Sequence, residues 1–457
     1  MPTIQHLRQQ FLLGADSASD VVARQLARAQ DPTGEGVRVF LSLDTEHALA
    51  AAQASERRLR EAEVRPLDGV TVTIKDLFDV AGQVTAAGSA VLRTRSPADA
   101  DCPAVARLRD AGAILFGRTN MVEFAYSGVG INPHYGTPRN VWGRTADGGG
   151  RVPGGSTSGG GVAVADGMAT AALGSDTGGS VRIPAALNGI CGFKPTAVRV
   201  PVLGAVPLSV SLDSVGPLAT SVDCCARLDA VLAGDAQPVS APLPLRGRRL
   251  LLPRATTVWR DLDREVGDAC NQAVGRLRAA GADVVEAALP ELDDYFATAS
   301  SGGLSAPEAL DWHAANLALD GAGYDPRVWQ RMQLGRAVTR SQYAATLAFR
   351  RFWIDRMNLA LAGFDALVCP TVACIAPDIA PLLVSDDAFF KANARILRNT
   401  AWVNFMDGCA LTIPCHAPGA PPVGVQLVGR HGADRALLAL GLAVEAALDR
   451  EVTPRAA

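Results

Sequence analysis

Alternating β-branched residues in Gly69-Val-Thr-Val-Thr-Ile74 predict a strand ending at Lys75-Asp76. Short apolar runs predict further strands at 113–116, 191–196, 248–252, 284–285, 364–370, 410–415 and 423–429. The last three are apolar on both faces, which does not suit a sheet edge. Helical periodicity appears at 102–112, stopped by glycine, and at 222–232, 265–281, 387–405 and 433–448. Residues 1–65 read as an outer helical layer, with Leu7, Phe11, Leu12 and an alanine-rich run over 46–63. Residues 305–363 read as helical and rich in large side chains, including Trp312, Trp329 and Trp353; helix packing is the main expectation there, and a cap over a substrate site the other.

The recurring helix-then-strand order predicts an α/β fold in which a central mixed, twisted β-sheet is flanked by α-helices on both faces. Residues 237–246, QPVSAPLPLR, form a proline-rich connector. Strands on both sides of it point to one sheet, so we expect a single domain over 1–457. Its parts are the layer 1–65, a core over 66–236, the connector, and the rest of the sheet over 247–457.

A net charge of −3 gives no long-range reason to expect nucleic acid or an anionic membrane as partner. The N-terminus is too polar for a signal peptide, no long apolar run occurs, and nine cysteines lack a C-x-x-C pair; a reduced, cytoplasmic protein is expected. One count sharpens the picture: of 43 basic residues, only Lys75, Lys194 and Lys391 are lysines. Arginine stays protonated, whereas a buried lysine can be neutral and act as a base.

The candidate chemistry lies in two glycine-framed serines, Ser156 in GGSTSGGG and Ser180 in GSDTGGSVRIP. Glycines before a hydroxyl residue allow tight backbone conformations and clear space for a substrate carbonyl. The six histidines show no metal-ligand spacing, and P-loop and G-x-S-x-G motifs are absent. What remains is a serine nucleophile activated by a desolvated lysine, with Lys75 the obvious partner. The loop 123–150, with Tyr126, His134, Tyr135 and Trp142, reads as a binding wall.

These motifs resemble the amidase signature family. The match rests on the strand through Lys75-Asp76, Gly154-Gly155-Ser156 and Gly174-Ser-Asp-Thr-Gly-Gly-Ser180-Val-Arg-Ile-Pro184, with the 24-residue step between the two serines. Gly192-Phe-Lys-Pro-Thr196, Ser214-Val-Gly-Pro217 and Pro421-Pro-Val-Gly-Val-Gln-Leu-Val-Gly429 extend it nearly end to end. The resemblance implies a triad of Ser180 as nucleophile, Ser156 as proton relay and Lys75 as base, with a cis peptide before Ser156. It implies an oxyanion hole from the N–H groups of Thr177, Gly178, Gly179 and Ser180, and an Asp176–Arg182 pair supporting the loop. Tyr126, Ser127, Gly128, Val129 and Gly130 match the family's acyl-side wall. The implied reaction is hydrolysis of small amides, or of carbamates (urethanes), anilides or esters, without cofactor or metal, by a monomer or homodimer. The alternative is the A-type subunit of a tRNA-dependent amidotransferase. One departure is Thr157, which adds a methyl group beside Ser156 where many relatives have a second serine, so the support around the relay differs here.

Overall fold

The computed structural model describes residues 2–298 and 303–448; the remaining parts of the expected range 1–457 lie outside the described residues. The described strands are β1 (Phe40–Leu43), β2 (Thr71–Lys75), β3 (Ile114–Thr119), β4 (Ala171–Asp176), β5 (Cys191–Lys194) and β6 (Ser214–Ala219). They continue with β7 (Arg249–Leu252), β8 (Asp283–Glu286), β9 (Ala366–Pro370), β10 (Cys409–Pro414) and β11 (Gly424–Gly429). All join one sheet in the order β1-β3-β2-β4-β6-β5-β10-β11-β9-β7-β8. β3, β2 and β4 run parallel, as do β9, β7 and β8, while the centre from β4 to β9 is antiparallel. Hydrogen bonding crosses the proline-rich connector at Ala410↔Lys194, where β10 meets β5.

Helices cover both faces because both faces of the strands are apolar. Along β10, Cys409, Leu411 and Ile413 join one core cluster and Ala410 another. Along β4, Ala171 and Leu173 face the first cluster and Ala172 a third. Alternation of this kind is the period-two geometry of a strand buried on both sides. Each fully buried Leu or Val contributes about 1.5–3 kcal/mol, so the sheet centre is a rigid platform for the residues at its edge.

Three sequence expectations are corrected. The first 65 residues are not all helical: β1 lies within them, antiparallel to β3, with Phe40 packed edge-on against Phe116 at 5.8 Å. Four residues, with only Phe40 buried, give too short an alternation to stand out. β3 does not stop at Phe116 but continues through Gly117 and Arg118 to Thr119, because the buried Arg118 finds a carboxylate, Nε to Asp76 Oδ1 at 2.7 Å. The helix expected over 387–405 is two, Asp386–Leu397 and Ala401–Phe405. Between them Asn399 Nδ2 donates to the carbonyls of Val258 and Pro370, and Thr400 Oγ1 to that of Gly178, at 2.8, 2.9 and 2.6 Å. Side chains that bond distant carbonyls interrupt the helix where it passes the glycine-rich loop.

The segment 305–363 is helical, as Ser305–Asn316, Pro326–Gln333 and Arg340–Ala360. Trp353 and Met357 are buried in the core, with Trp353 among Tyr295 and Phe405. Among the described residues, no helix is long and apolar enough to cross a membrane.

Candidate active site

Because β2 and β4 are parallel neighbours in register at Ile74↔Leu173, their C-terminal ends lie side by side. That places Lys75 beside Ser175. Lys75 is fully buried, and its Nζ lies 2.7 Å from Ser156 Oγ, 2.8 Å from Ser175 Oγ and 3.4 Å from the Ser175 carbonyl. Burial pulls its pKa from 10.5 down to about 7, against the opposing pull of the Asp176 and Asp213 carboxylates. Near neutrality much of this lysine is therefore unprotonated and able to accept a proton.

Ser156 is fixed through its backbone. The Gly155–Ser156 peptide is cis, and Gly154 has a φ of +75°, in the left-handed region. Gly155 N–H donates to the Gly128 carbonyl at 2.8 Å, and Val122 N–H to the Ser156 carbonyl at 3.1 Å. A side chain at Gly155 would meet Val122 at 2.9 Å and the Gly130 backbone at 3.0 Å, so glycine is required by close approach. The Gly128 strap is itself tied down: Asn393 Oδ1 accepts from Ser127 Oγ at 3.0 Å and from Gly128 N–H at 2.9 Å. Val129 N–H closes the turn on Ser127 Oγ at 3.0 Å. Of the five residues matched to the acyl-side wall, Ser127 to Gly130 thus spend their polar groups and bulk inside the protein. Tyr126 packs beneath the guanidinium of Arg331 at 4.7 Å.

Ser180 follows β4 on the loop leading into the helix Arg182–Asn188. Asp176 organises that loop. Its carboxylate accepts from Gly179 N–H at 2.8 Å, Val181 N–H at 3.1 Å, Asn404 Nδ2 at 3.0 Å, and Arg182 Nε and Nη2 at 3.0 and 2.9 Å. The adjacent guanidinium holds Asp176 well below the usual carboxylate range despite complete burial. Gly179 N–H is accordingly already engaged, whereas the N–H groups of Thr177, Gly178 and Ser180 find no acceptor among the described residues. The two serine loops are joined by Thr157 N–H donating to the Ser180 carbonyl at 3.2 Å.

Several site residues have no counterpart in the sequence expectations. Ser175 stands inside the quoted glycine-serine motif, next to a residue already singled out. Asp213, pushed up to about 6 by burial, accepts from Thr177 Oγ1 at 2.5 Å and carries a weak signal one residue before Ser214. Asn404 and Gln426 accept from Arg182 at 2.7 Å each, across 222 and 244 residues; Gln426 lies inside the quoted motif 421–429 without a role assigned to it, and Asn404 carries no local signal. Thr157 is accommodated rather than crowded. A side chain on Gly174 would lie 2.8 Å from its Oγ1 and one on Gly160 3.0 Å from its methyl, and both positions are glycine. Its buried hydroxyl has no partner among the described residues.

A cavity of about 80 Å³, lined by Ser175, Asp213, Leu77, Ala125, Val206 and Leu208 among others, adjoins the lysine side of the site. A larger depression of about 600 Å³ around Asp407, Arg430 and His431 shares no residue with it.

A parallel strand pair presents a buried, near-neutral lysine to a serine hydroxyl, beside a glycine loop with N–H groups that find no acceptor among the described residues; this is the equipment of an acyl-transferring α/β enzyme. The chain belongs to the amidase family, whose model, Amidase, matches residues 20–438. It is 36 % identical over 418 residues to 2-amino-5-chloromuconic acid deaminase of Comamonas testosteroni, covering 90 % of this chain and 88 % of that protein. It is 34 % identical to the A-type subunit of the glutamyl-tRNA(Gln) amidotransferase of Roseiflexus sp. (strain RS-1), covering 98 % and 96 %. A solved amidase superposes with a TM-score of 0.85 at 33 % identity, covering 97 % of this chain and 99 % of that one. The protein is an amidase-type hydrolase of C–N bonds.

Proposed function

We propose that the chain hydrolyses small amides through an acyl-enzyme on Ser180. The observation that carries this is Lys75, buried, drawn to near-neutral pKa and 2.7 Å from Ser156 Oγ. Ser180 Oγ attacks the substrate carbonyl carbon and its proton passes to Ser156, whose own proton passes to the neutral Lys75 amine. The oxyanion is held by the N–H groups of Thr177, Gly178 and Ser180, each such donor contributing about 3–4 kcal/mol of transition-state stabilisation. When the tetrahedral intermediate collapses, the C–N bond breaks and Ser156 protonates the departing nitrogen while recovering a proton from Lys75. Water then attacks the acyl-enzyme by the same relay and restores Ser180. Carbamates, anilides and esters present the same carbonyl to Ser180 and fall within this chemistry. The deaminase relative, named for an amino-substituted acid, favours a compact polar substrate over a long acyl chain.

Ser180→Ala is expected to abolish turnover of a small-amide panel, and a fluorophosphonate probe is expected to label the parent protein at Ser180. Labelling that persists in Ser180→Ala contradicts the assignment. The end-to-end resemblance to the A-type amidotransferase chains favours one second reading, a component that works only with partner chains. Gel filtration of the protein expressed alone, followed by assay of the peak, separates the two: an active monomer or homodimer supports the first reading.

A further inference from the structure

Antiparallel pairing of β4 with β6 ends at Asp176↔Ser214, so the next residues outward, Thr177 and Asp213, meet just beyond the last ladder pair. Thr177 belongs to the glycine-rich loop before Ser180, and Asp213 to the turn that leads into β6. Thr177 Oγ1 donates to Asp213 Oδ1 at 2.5 Å, while Oδ2 accepts from the N–H groups of Leu208 and Ser209 at 3.0 and 3.1 Å. Asp213 N–H donates to the Ser209 carbonyl at 2.9 Å and closes the turn. Glu308, on the helix Ser305–Asn316, holds the turn from outside: its carboxylate accepts from Ser209 Oγ at 2.5 Å, Ser211 Oγ at 2.6 Å and Tyr343 OH at 2.8 Å.

The loop before Ser180 is thereby fastened at three consecutive residues. Asp176 is held by Arg182 and Asn404, the Thr177 hydroxyl by Asp213, and the Gly178 carbonyl by Thr400 Oγ1. None of these anchors uses the N–H of Thr177 or Gly178, and neither N–H finds an acceptor among the described residues. Donors fixed in advance on a tethered loop stabilise a developing oxyanion without reorganising.

Asp213 also faces Lys75 with a charge that no other cation shares. Two carboxylates act on Lys75, Asp176 and Asp213. Asp176 is paired with Arg182 at 2.9 Å, and Asp76, the residue after Lys75, with Arg118 at 2.7 Å. The segment 152–161 around Ser156 carries no charged side chain. Glu308 is turned to Ser209, Ser211 and Tyr343. Asp213 itself bonds, among the described residues, to one hydroxyl and two N–H groups. It lines the same cavity as Ser175, the Lys75 partner, between apolar walls that include Leu77, Val206 and Leu208. In such surroundings a carboxylate and an ammonium attract each other far more strongly than in water, so the anion favours the protonated form of Lys75 against the effect of burial.

We propose that Asp213 is a positioning residue with two tasks: it fixes Thr177 in the oxyanion loop and supplies the unshared negative charge that faces Lys75. This rests on the hydrolase reading above and deepens it.

The test is the rate at which a fluorophosphonate labels Ser180 across pH, which yields a plateau and a midpoint. Asp213→Asn keeps an acceptor but loses the charge; its midpoint is expected to fall by about 1 pH unit, and its plateau by about 10–100-fold. Thr177→Val, which removes only the hydroxyl, is expected to lower the plateau and leave the midpoint in place, and Thr177→Ser to restore the plateau. The double variant Asp213→Asn with Thr177→Val should label no more slowly at its plateau than Asp213→Asn alone, because both changes remove one contact. A midpoint unmoved in Asp213→Asn overturns the proposal and marks a merely structural turn; a plateau within about threefold of the parent in that variant overturns it as well. If Asp213→Asn does not fold, Thr177→Val decides: a plateau equal to the parent's overturns the proposal, and a loss rescued by Thr177→Ser supports it. A parent protein that takes no label at Ser180 removes the hydrolase reading and this proposal together, whereas normal labelling with unchanged variants removes this proposal only.

Discussion

Two buried lysines sit near the middle of this sheet and do different things. Lys75 closes β2 and Lys194 closes β5; burial lowers the first to about 7 and the second to about 8. Lys194 Nζ donates to two backbone carbonyls, Pro195 at 2.8 Å and Gly408 at 2.7 Å. Carbonyls accept hydrogen bonds but have no proton to give, so Lys194 ties two segments together and its protonation leads nowhere. Lys75 instead faces the hydroxyls of Ser156 and Ser175. A hydroxyl both donates and accepts, so Ser156 beside Lys75 has the chemistry that the proposed relay from Ser180 requires. Burial alone does not make a base; the partners decide.

The largest effect that could break this contrast is at Lys75. Lys75→Arg keeps a cation but cannot become neutral, and is expected to lower kcat by about 10²–10⁴-fold; near-parent activity at neutral pH would rule out the base. Lys194→Met is expected to reduce stability by about 1–3 kcal/mol, because two buried carbonyls lose their donor, and to leave the pH dependence of turnover in place. Denaturant unfolding and a pH–rate profile on the same sample check both halves.

Stability against pH sharpens the comparison further. The folded pKa of Lys75 lies below its unfolded value of 10.5, so the unfolded chain binds the extra proton between about 7 and 10.5. Folding is therefore disfavoured by this group below about pH 7, and the penalty fades as pH rises to 10.5. Lys75→Met should accordingly stabilise the fold most at and below neutral pH, measured by unfolding across that window. The smallest expected effect is at Thr157: its hydroxyl is buried without a partner among the described residues, so Thr157→Val should change stability by less than about 1 kcal/mol, or raise it.

The platform is legible in the sequence where one residue type repeats along one strand. The alternation before Lys75 and the three apolar strands of the second half are readable, as are the glycine frames of Ser156 and Ser180. Interactions that exist only after folding are not. Asp176 is held by Asn404, and Arg182 by Gln426, pairs formed by the crossing of β4's loop with distant elements. Thr400 breaks its helix to reach Gly178, so a residue that spoils helical periodicity is one that shapes the site. β1 escapes notice because four residues with only Phe40 buried make too short a pattern, and Arg118 because its partner Asp76 comes from another strand's end.

The proton route through a neutral Lys75 is tested most directly by the rate at which the fluorophosphonate labels Ser180 as pH is varied. The rate should rise along a single titration curve with a midpoint near 7, and Lys75→Arg should abolish the rise. A flat profile, or a midpoint that stays in place when Lys75 is replaced, would contradict the account.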